Sequence, residues 1–328
     1  MKGLLAWWEG ACTGSKPMRF VDVNLRGIGQ VMFQDNPLSG LLFFIAIGWG
    51  SFVAGMPQVA IGGLVALVAG TLTAQWLRVD AAGLAAGLYG YNAYLVGLAL
   101  GTFLAVSPLF WIYVALGGAV SVVATLGTAN VFKTWGVAAL TAPFVLTTWL
   151  LLLATYAFTA IDGSGLPMSA EITPLDLAAA NPLAFGDFVQ GIMKSISQVF
   201  LKASVLAALL LLAGLAVNSL AAAAFAVGGA VVAVVTGHLL GAESDLITGG
   251  LMGFSPVLTA IAIGAVFYKP SPRVALYALL GTVFTVIVQG AMNVVVAPFG
   301  IPTLTAPFVL ASWLFLLPRQ HFETRANS

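Results

Sequence analysis

Thr141 stands directly before Ala142-Pro143-Phe144, and Thr305 stands directly before Ala306-Pro307-Phe308. A threonine hydroxyl both donates and accepts hydrogen bonds. A proline two residues later has no N–H for a helical ladder, so each block is expected to present a free carbonyl beside its hydroxyl. Gln30 and Gln198 add one side-chain amide to each half of the chain. Phe33, Tyr91 and Phe254 add flat apolar faces, with Leu95 and Leu258 four residues after the last two. These groups can hydrogen-bond a small neutral solute and stack on it. A lone threonine beside a proline commonly bonds its own backbone instead, and the aromatic and leucine spacing also fits core packing. Two copies at matched places favour a shared site. No Ser/His/Asp set, paired carboxylates or metal-type cluster lies among these segments, which speaks against an enzyme and against a cofactor.

The threonine blocks belong to a longer repeat. Leu-Thr-Ala-Pro-Phe-Val-Leu occurs at Leu140–Leu146 and at Leu304–Leu310, each copy continuing to a Trp-Leu pair, Trp149-Leu150 and Trp313-Leu314. Gly87-Leu88-Tyr89-Gly90-Tyr91-Asn92 answers to Gly250-Leu251-Met252-Gly253-Phe254-Ser255. Arg26-Gly27-Ile28-Gly29-Gln30-Val31 answers to Lys194-Ser195-Ile196-Ser197-Gln198-Val199. The order is the same in both halves and the spacing is about half the chain. An internal duplication is expected, residues 1–165 and 166–328, within one membrane domain, with function where the halves meet.

Composition fixes the solvent. Of 328 residues 60% are hydrophobic and 7% charged, and the mean hydropathy is +1.04. A soluble domain carries about 25% charged residues, so this chain cannot cover itself with a hydrated surface. An all-α polytopic membrane protein in contact with lipid is expected. The net charge of +1 offers no field for nucleic acid. A single Cys12 forms no internal disulfide. The first 35 residues lack an apolar core followed by a small-residue cleavage site, so no removable signal peptide is expected.

Five crossings are expected in the first half, at about 38–56, 57–77, 84–105, 108–130 and 137–158. The second half matches them at about 200–218, 219–240, 247–269, 273–297 and 302–318. A short segment precedes each set, 27–34 and 188–199, too short for about 30 Å of hydrocarbon and so read as a half-span or re-entrant pore helix. Trp7 and Trp8 read as interfacial anchors. Gly87, Gly90, Gly250 and Gly253 mark places where an irregular backbone is needed. With the N-terminus inside, Arg78, Lys133, Lys269, Arg273, Arg319 and Arg325 fall on the cytoplasmic side, and Asp162, Glu171, Asp176, Glu243 and Asp245 fall outside. Lys194 and Lys202 do not fit this pattern. The bias places both termini of the multi-pass chain in the cytoplasm, and an inner-membrane location is expected. Five is odd, so the second half must enter the membrane inverted relative to the first.

The expected crossings hold almost no ionisable residue. His238 sits near an outer end and reads as an interfacial hydrogen-bonding residue. Proton coupling and anion binding both need a charge at mid-membrane. The solute is expected to be neutral and its flow downhill.

At the repeated blocks the sequence resembles the urea transporter family. The resemblance rests on Gly27-Ile28-Gly29-Gln30-Val31 with Asn36-Pro37-Leu38-Ser39-Gly40, on residues 87–92, on Gly250 through Ile263, and on both Thr-Ala-Pro-Phe strings. It implies passive, channel-like permeation of urea and close analogues, and a homotrimer with one pore per protomer. It further implies two inverted repeats, each with five crossings and one tilted pore helix, with the pore at their interface. By matching position it implies pore mouths at Gln30 and Gln198. Apolar slots are implied at Val31, Phe33, Tyr91 and Leu95 and at Val199, Phe254 and Leu258, and a constriction at Thr141 and Thr305. Two positions depart from the pattern. Ser204-Val205 stands where a second Asn-Pro is expected, and Ser255 stands in the place of Asn92.

The physical chemistry agrees with that implication. Stripping water from an amide is costly unless protein acceptors replace the lost bonds. Flat apolar slots pass a planar neutral solute and leave an ion nothing to exchange for its hydration shell. Another neutral-solute channel, for ammonia, water or small amides, is the alternative. The sequence lacks the histidine pair expected for ammonia, and Asn36-Pro37 and Asn181-Pro182 are not equivalent in the two halves, as an aquaporin would need.

Overall fold

The computed structural model describes residues 2–176 and 179–319. Arg325, one of the cations used for orientation, lies outside them. The described residues form fifteen α-helices and no strand. The first half runs α1 (Lys2–Gly14), α2 (Lys16–Gln30), α3 (Pro37–Val53), α4 (Pro57–Trp76), α5 (Ala81–Ala85), α6 (Tyr91–Phe103), α7 (Pro108–Lys133) and α8 (Ala142–Ala154). The second runs α9 (Phe185–Ser197), α10 (Val205–Asn218), α11 (Leu220–Leu239), α12 (Ser244–Thr248), α13 (Phe254–Ile261), α14 (Pro272–Val296) and α15 (Ala306–Leu316). From α2 and α9 onward the two series match element for element.

The helix starts follow from local chemistry. Ser107 and Ser271 cap α7 and α14, each followed by Pro at the first helical position. Asn36 Oδ1 accepts from Leu38 N at 2.9 Å to start α3, and Ser204 Oγ accepts from Ala207 N at 3.2 Å to start α10. The missing second Asn-Pro is therefore a change of cap residue that keeps the cap.

Four helices have the length and apolarity to cross a membrane: α4, α7, α11 and α14 extended to Phe299. The remaining expected crossings are shorter or broken. The run 84–105 divides into α5, a turn at Gly87 (φ +75°) and α6, and 247–269 divides the same way at Gly250 (φ +78°). A five-residue π turn, Ala262–Val266, then completes α13. The runs 137–158 and 302–318 are helical only in α8 and α15, because Leu140 and Leu304 both take left-handed backbone just before them. At 1.5 Å per residue such helices are roughly 20 Å long, about two thirds of the hydrocarbon thickness. The second short segment bends by 70° where Phe185–Phe200 meets Val205–Asn218. Its counterpart is longer than expected: helix starts at Lys16, well before the apolar run 27–34.

The halves are joined along α3 and α10, where Ser39 Oγ donates to Gly214 O at 2.7 Å and the Phe43 and Phe200 rings meet edge to face at 5.6 Å. Two matched tryptophans stitch them again: Trp149 Nε1 donates to Pro302 O at 2.8 Å, and Trp313 Nε1 donates to Ala138 O at 3.0 Å. Apolar side chains such as Trp49, Phe52, Trp76 and Leu150 remain on the outside. They form a surface that suits lipid rather than water.

Candidate functional site

Two cavities lie on either side of one threonine pair. The narrower, about 250 Å³, is lined by Gln30, Val31, Phe33, Tyr91, Leu140 and Thr141 from the first half. The wider, about 690 Å³, is lined by Gln198, Val199, Leu201, Phe254, Leu304 and Thr305 from the second. Those two sets are the same positions of the repeat. Each cavity also borrows the aromatic that follows the proline of the other half: Phe308 lines the narrow cavity and Phe144 the wide one.

Thr141 Oγ1 and Thr305 Oγ1 meet at 2.7 Å, and both residues are buried. Neither hydroxyl caps its own helix. Because Thr141 lines one cavity and Thr305 the other, this hydrogen bond marks the waist between them. The expected free carbonyl is placed differently. Pro143 and Pro307 sit in the first turn of α8 and α15, where an N–H has no intrahelical partner in any case, and the threonine carbonyls accept from Val145 N and Val309 N at 3.0 Å. The proline therefore frees no carbonyl; it starts the helix.

The glutamines are positioned alike. Gln30 Nε2 donates to Ala86 O at 2.9 Å, and Gln198 Nε2 donates to Gly249 O at 3.1 Å. Each bond reaches the turn between the two short helices of its half. It fixes the amide and leaves its oxygen side for a solute. Phe33, Leu140, Leu201 and Leu304 all have left-handed backbone, with φ between 50° and 62°. All four line the cavities. Bulky residues adopt that conformation only where surroundings force it, and such strain gathers at functional sites. Phe33 stands edge to face with Phe308 (6.2 Å) and Phe267 (6.0 Å), so the narrow cavity is an aromatic slot.

Tyr91 and Asn92 close the back of that slot. Tyr91 Oη donates to Leu140 O at 2.6 Å, and Asn92 Nδ2 reaches the same carbonyl at 3.4 Å and Thr125 Oγ1 at 3.3 Å. Asn92 Oδ1 accepts from Phe144 N at 3.3 Å. Phe254 and Ser255 cannot repeat these bonds, and Ser255 Oγ is buried without a partner. Leu95 and Leu258 are fully buried in the core and line neither cavity. Sequence reasoning also passed over Phe144 and Phe308, although both lie within the repeated string and could have been found there. His238 stacks edge to face on Phe188 at 5.2 Å, away from both cavities.

Among the lining side chains only Glu243 and Tyr91 are ionisable. Asp80, the counterpart of Glu243, is engaged instead in capping α5. It accepts from Tyr89 Oη and from Gly83 N, which hold its carboxyl below the ordinary value. Among the described residues no group of three or more His, Cys, Asp or Glu could hold a metal.

The family model described as "Urea transporter" matches residues 21–320. Urea transporter 1 of Ovis aries is 31% identical over 312 residues, covering 92% of this chain and 77% of that protein. Urea transporter 1 of Rattus norvegicus is 32% identical with the same coverage, and that of Mus musculus 31%. With a match over nearly the whole chain and paired cavities on its repeated blocks, this all-α membrane protein belongs to the urea transporter family.

Proposed function

We propose that urea passes down its own gradient through the two cavities and the threonine waist between them. The single observation that carries this is the Thr141–Thr305 hydrogen bond, which joins a hydroxyl lining the narrow cavity to one lining the wide cavity. A urea N–H can take the place of the bond that joins them, so the solute exchanges one neutral hydrogen bond for another of similar worth. Gln30 and Gln198 serve as mouths, and Val31, Phe33 and Tyr91 with Val199 and Phe254 as the walls that grip the planar solute. Leu95 and Leu258, buried one helical turn after Tyr91 and Phe254, complete those apolar walls. Charged solutes find no counter-charge at the waist, which favours neutral ones.

The same reading makes residues 1–165 and 166–328 two repeats related by inversion in the membrane. Matched left-handed positions (Phe33 with Leu201, Gly87 with Gly250, Gly136 with Gly300, Leu140 with Leu304) support it. The positive-inside bias supports an inner-membrane protein with both termini in the cytoplasm. Family resemblance supports a homotrimer with one pore per protomer, and the exposed Trp49, Phe52 and Trp76 offer apolar surface for lipid or a neighbouring copy.

Stopped-flow measurements on proteoliposomes test the function directly. Urea should permeate far faster than through empty vesicles, with little gain for ammonia, water or glycerol. A gain for ammonia or water equal to that for urea would replace this reading with a general neutral-solute channel.

A further inference from the structure

The cavities are built on matched positions, and one wall breaks the match. Helices α7 and α14 correspond residue for residue, since both start at a Ser-Pro cap and both lead to a left-handed glycine, Gly136 and Gly300. On that register Gln289 answers to Thr125, Asn293 to Ala129 and Thr303 to Ala139. Gln289, Asn293 and Thr303 line the wide cavity, whereas their counterparts do not line the narrow one. The second half has moved its amide from the Asn92 position, now Ser255, to the facing helix.

Gln289 is 1% exposed. Its Nε2 donates to Thr303 Oγ1 at 2.9 Å and to Asn293 Oδ1 at 3.0 Å, which uses both N–H bonds and fixes the amide plane. Its Oε1 is buried and has no hydrogen-bond partner. A buried acceptor left without a donor is costly, and a solute N–H relieves it.

We propose that Gln289, held by Thr303 and Asn293, forms a subsite in the wide cavity where Oε1 accepts an N–H from a planar amide solute, urea first. This rests on the urea-channel reading above. The narrow cavity has no equivalent, so solute is retained on one side of the waist and flux saturates through that side. The binding is made in the resting state and not at the waist. Its loss should therefore raise the half-saturating concentration without lowering the limiting flux.

The test is the concentration dependence of urea flux in proteoliposomes, per folded protein. Wild type is compared with Gln289→Met, which keeps the size and removes the amide, and with Ser255→Asn/Gln289→Thr, which installs the pair the first half already carries. Both should raise the half-saturating urea concentration by about five- to ten-fold, the loss of one neutral hydrogen bond, with limiting flux no lower than wild type. Wild-type half-saturation in either folded variant overturns the subsite, even if less folded protein is recovered, and makes Gln289 a packing residue. Should Gln289→Met not fold, the double variant decides. A wild-type protein with no urea flux would sink the channel reading itself, a result distinct from normal flux with unshifted saturation.

Discussion

Thr141 and Thr305 are 164 residues apart in sequence and share one hydrogen bond, 2.7 Å between hydroxyl oxygens. Each lies just ahead of a half-length helix, α8 and α15, and each faces a different cavity. Thr→Val keeps the shape and removes the oxygen. Each single change should cost roughly 1–2 kcal/mol at the waist. If that step limits, the loss of flux is about five- to thirty-fold. Thr→Ser should retain most of it. Normal flux per folded protein in Thr141→Val/Thr305→Val would remove the pair from the mechanism.

Tyr91→Phe gives the first half the residue that the second half carries at Phe254. The Leu140 carbonyl loses its 2.6 Å bond but keeps Asn92 Nδ2 at 3.4 Å. Stability should fall by about 0.5–1.5 kcal/mol in thermal unfolding, with urea flux within about two-fold of wild type. A far larger loss of flux would show that the phenol contacts the solute.

Gly87 and Gly250 turn the chain between the short helices of each half at φ +75° and +78°. A Cβ at Gly87 would strike the backbone of Gly27 in α2, and one at Gly250 would strike the Lys194–Ser195 backbone in α9. Backbone cannot move aside as a flexible side chain can. Gly87→Ala and Gly250→Ala should each destabilise by more than about 2 kcal/mol, visible as lost yield of folded protein. Wild-type yield and melting would mean that the turn adapts.

Much of this architecture is legible in the residues. The repeated Thr-Ala-Pro-Phe string pointed to a threonine pair, and the glycines of the middle block pointed to broken helices, because proline and glycine act on the backbone through rules that context rarely overrides. Hydropathy overstated the continuous crossings, since an apolar run reads the same whether it forms one helix or two short ones joined by a turn. Spacing alone does not separate a slot from the core at the side chains one helical turn after Tyr91 and Phe254: Leu95 and Leu258 are fully buried in the same apolar cluster as Val31, Leu140, Phe254 and Phe308, which line the cavities. Nor does pattern reveal Gln289, whose role comes from breaking the repeat. The left-handed Phe33, Leu140, Leu201 and Leu304 carry no residue-type signal, because tertiary packing imposes that backbone on side chains that disfavour it.

Flux should be indifferent to pH and to ion gradients. Histidine is the side chain whose ordinary titration falls between pH 6 and 8, and none lines either cavity among the described residues. The waist is two neutral hydroxyls, and the nearest carboxylate in the lining, Glu243, belongs to the wide cavity alone. Moving a proton or sodium ion along this path would need a charged or water-filled step that the waist does not offer. Urea flux in proteoliposomes should therefore be equal at pH 6 and pH 8. It should also be unchanged by a protonophore and the same with sodium or potassium outside. Accumulation of urea against its gradient, or a loss of uptake when the proton gradient is collapsed, would overturn the passive mechanism and direct attention to Glu243.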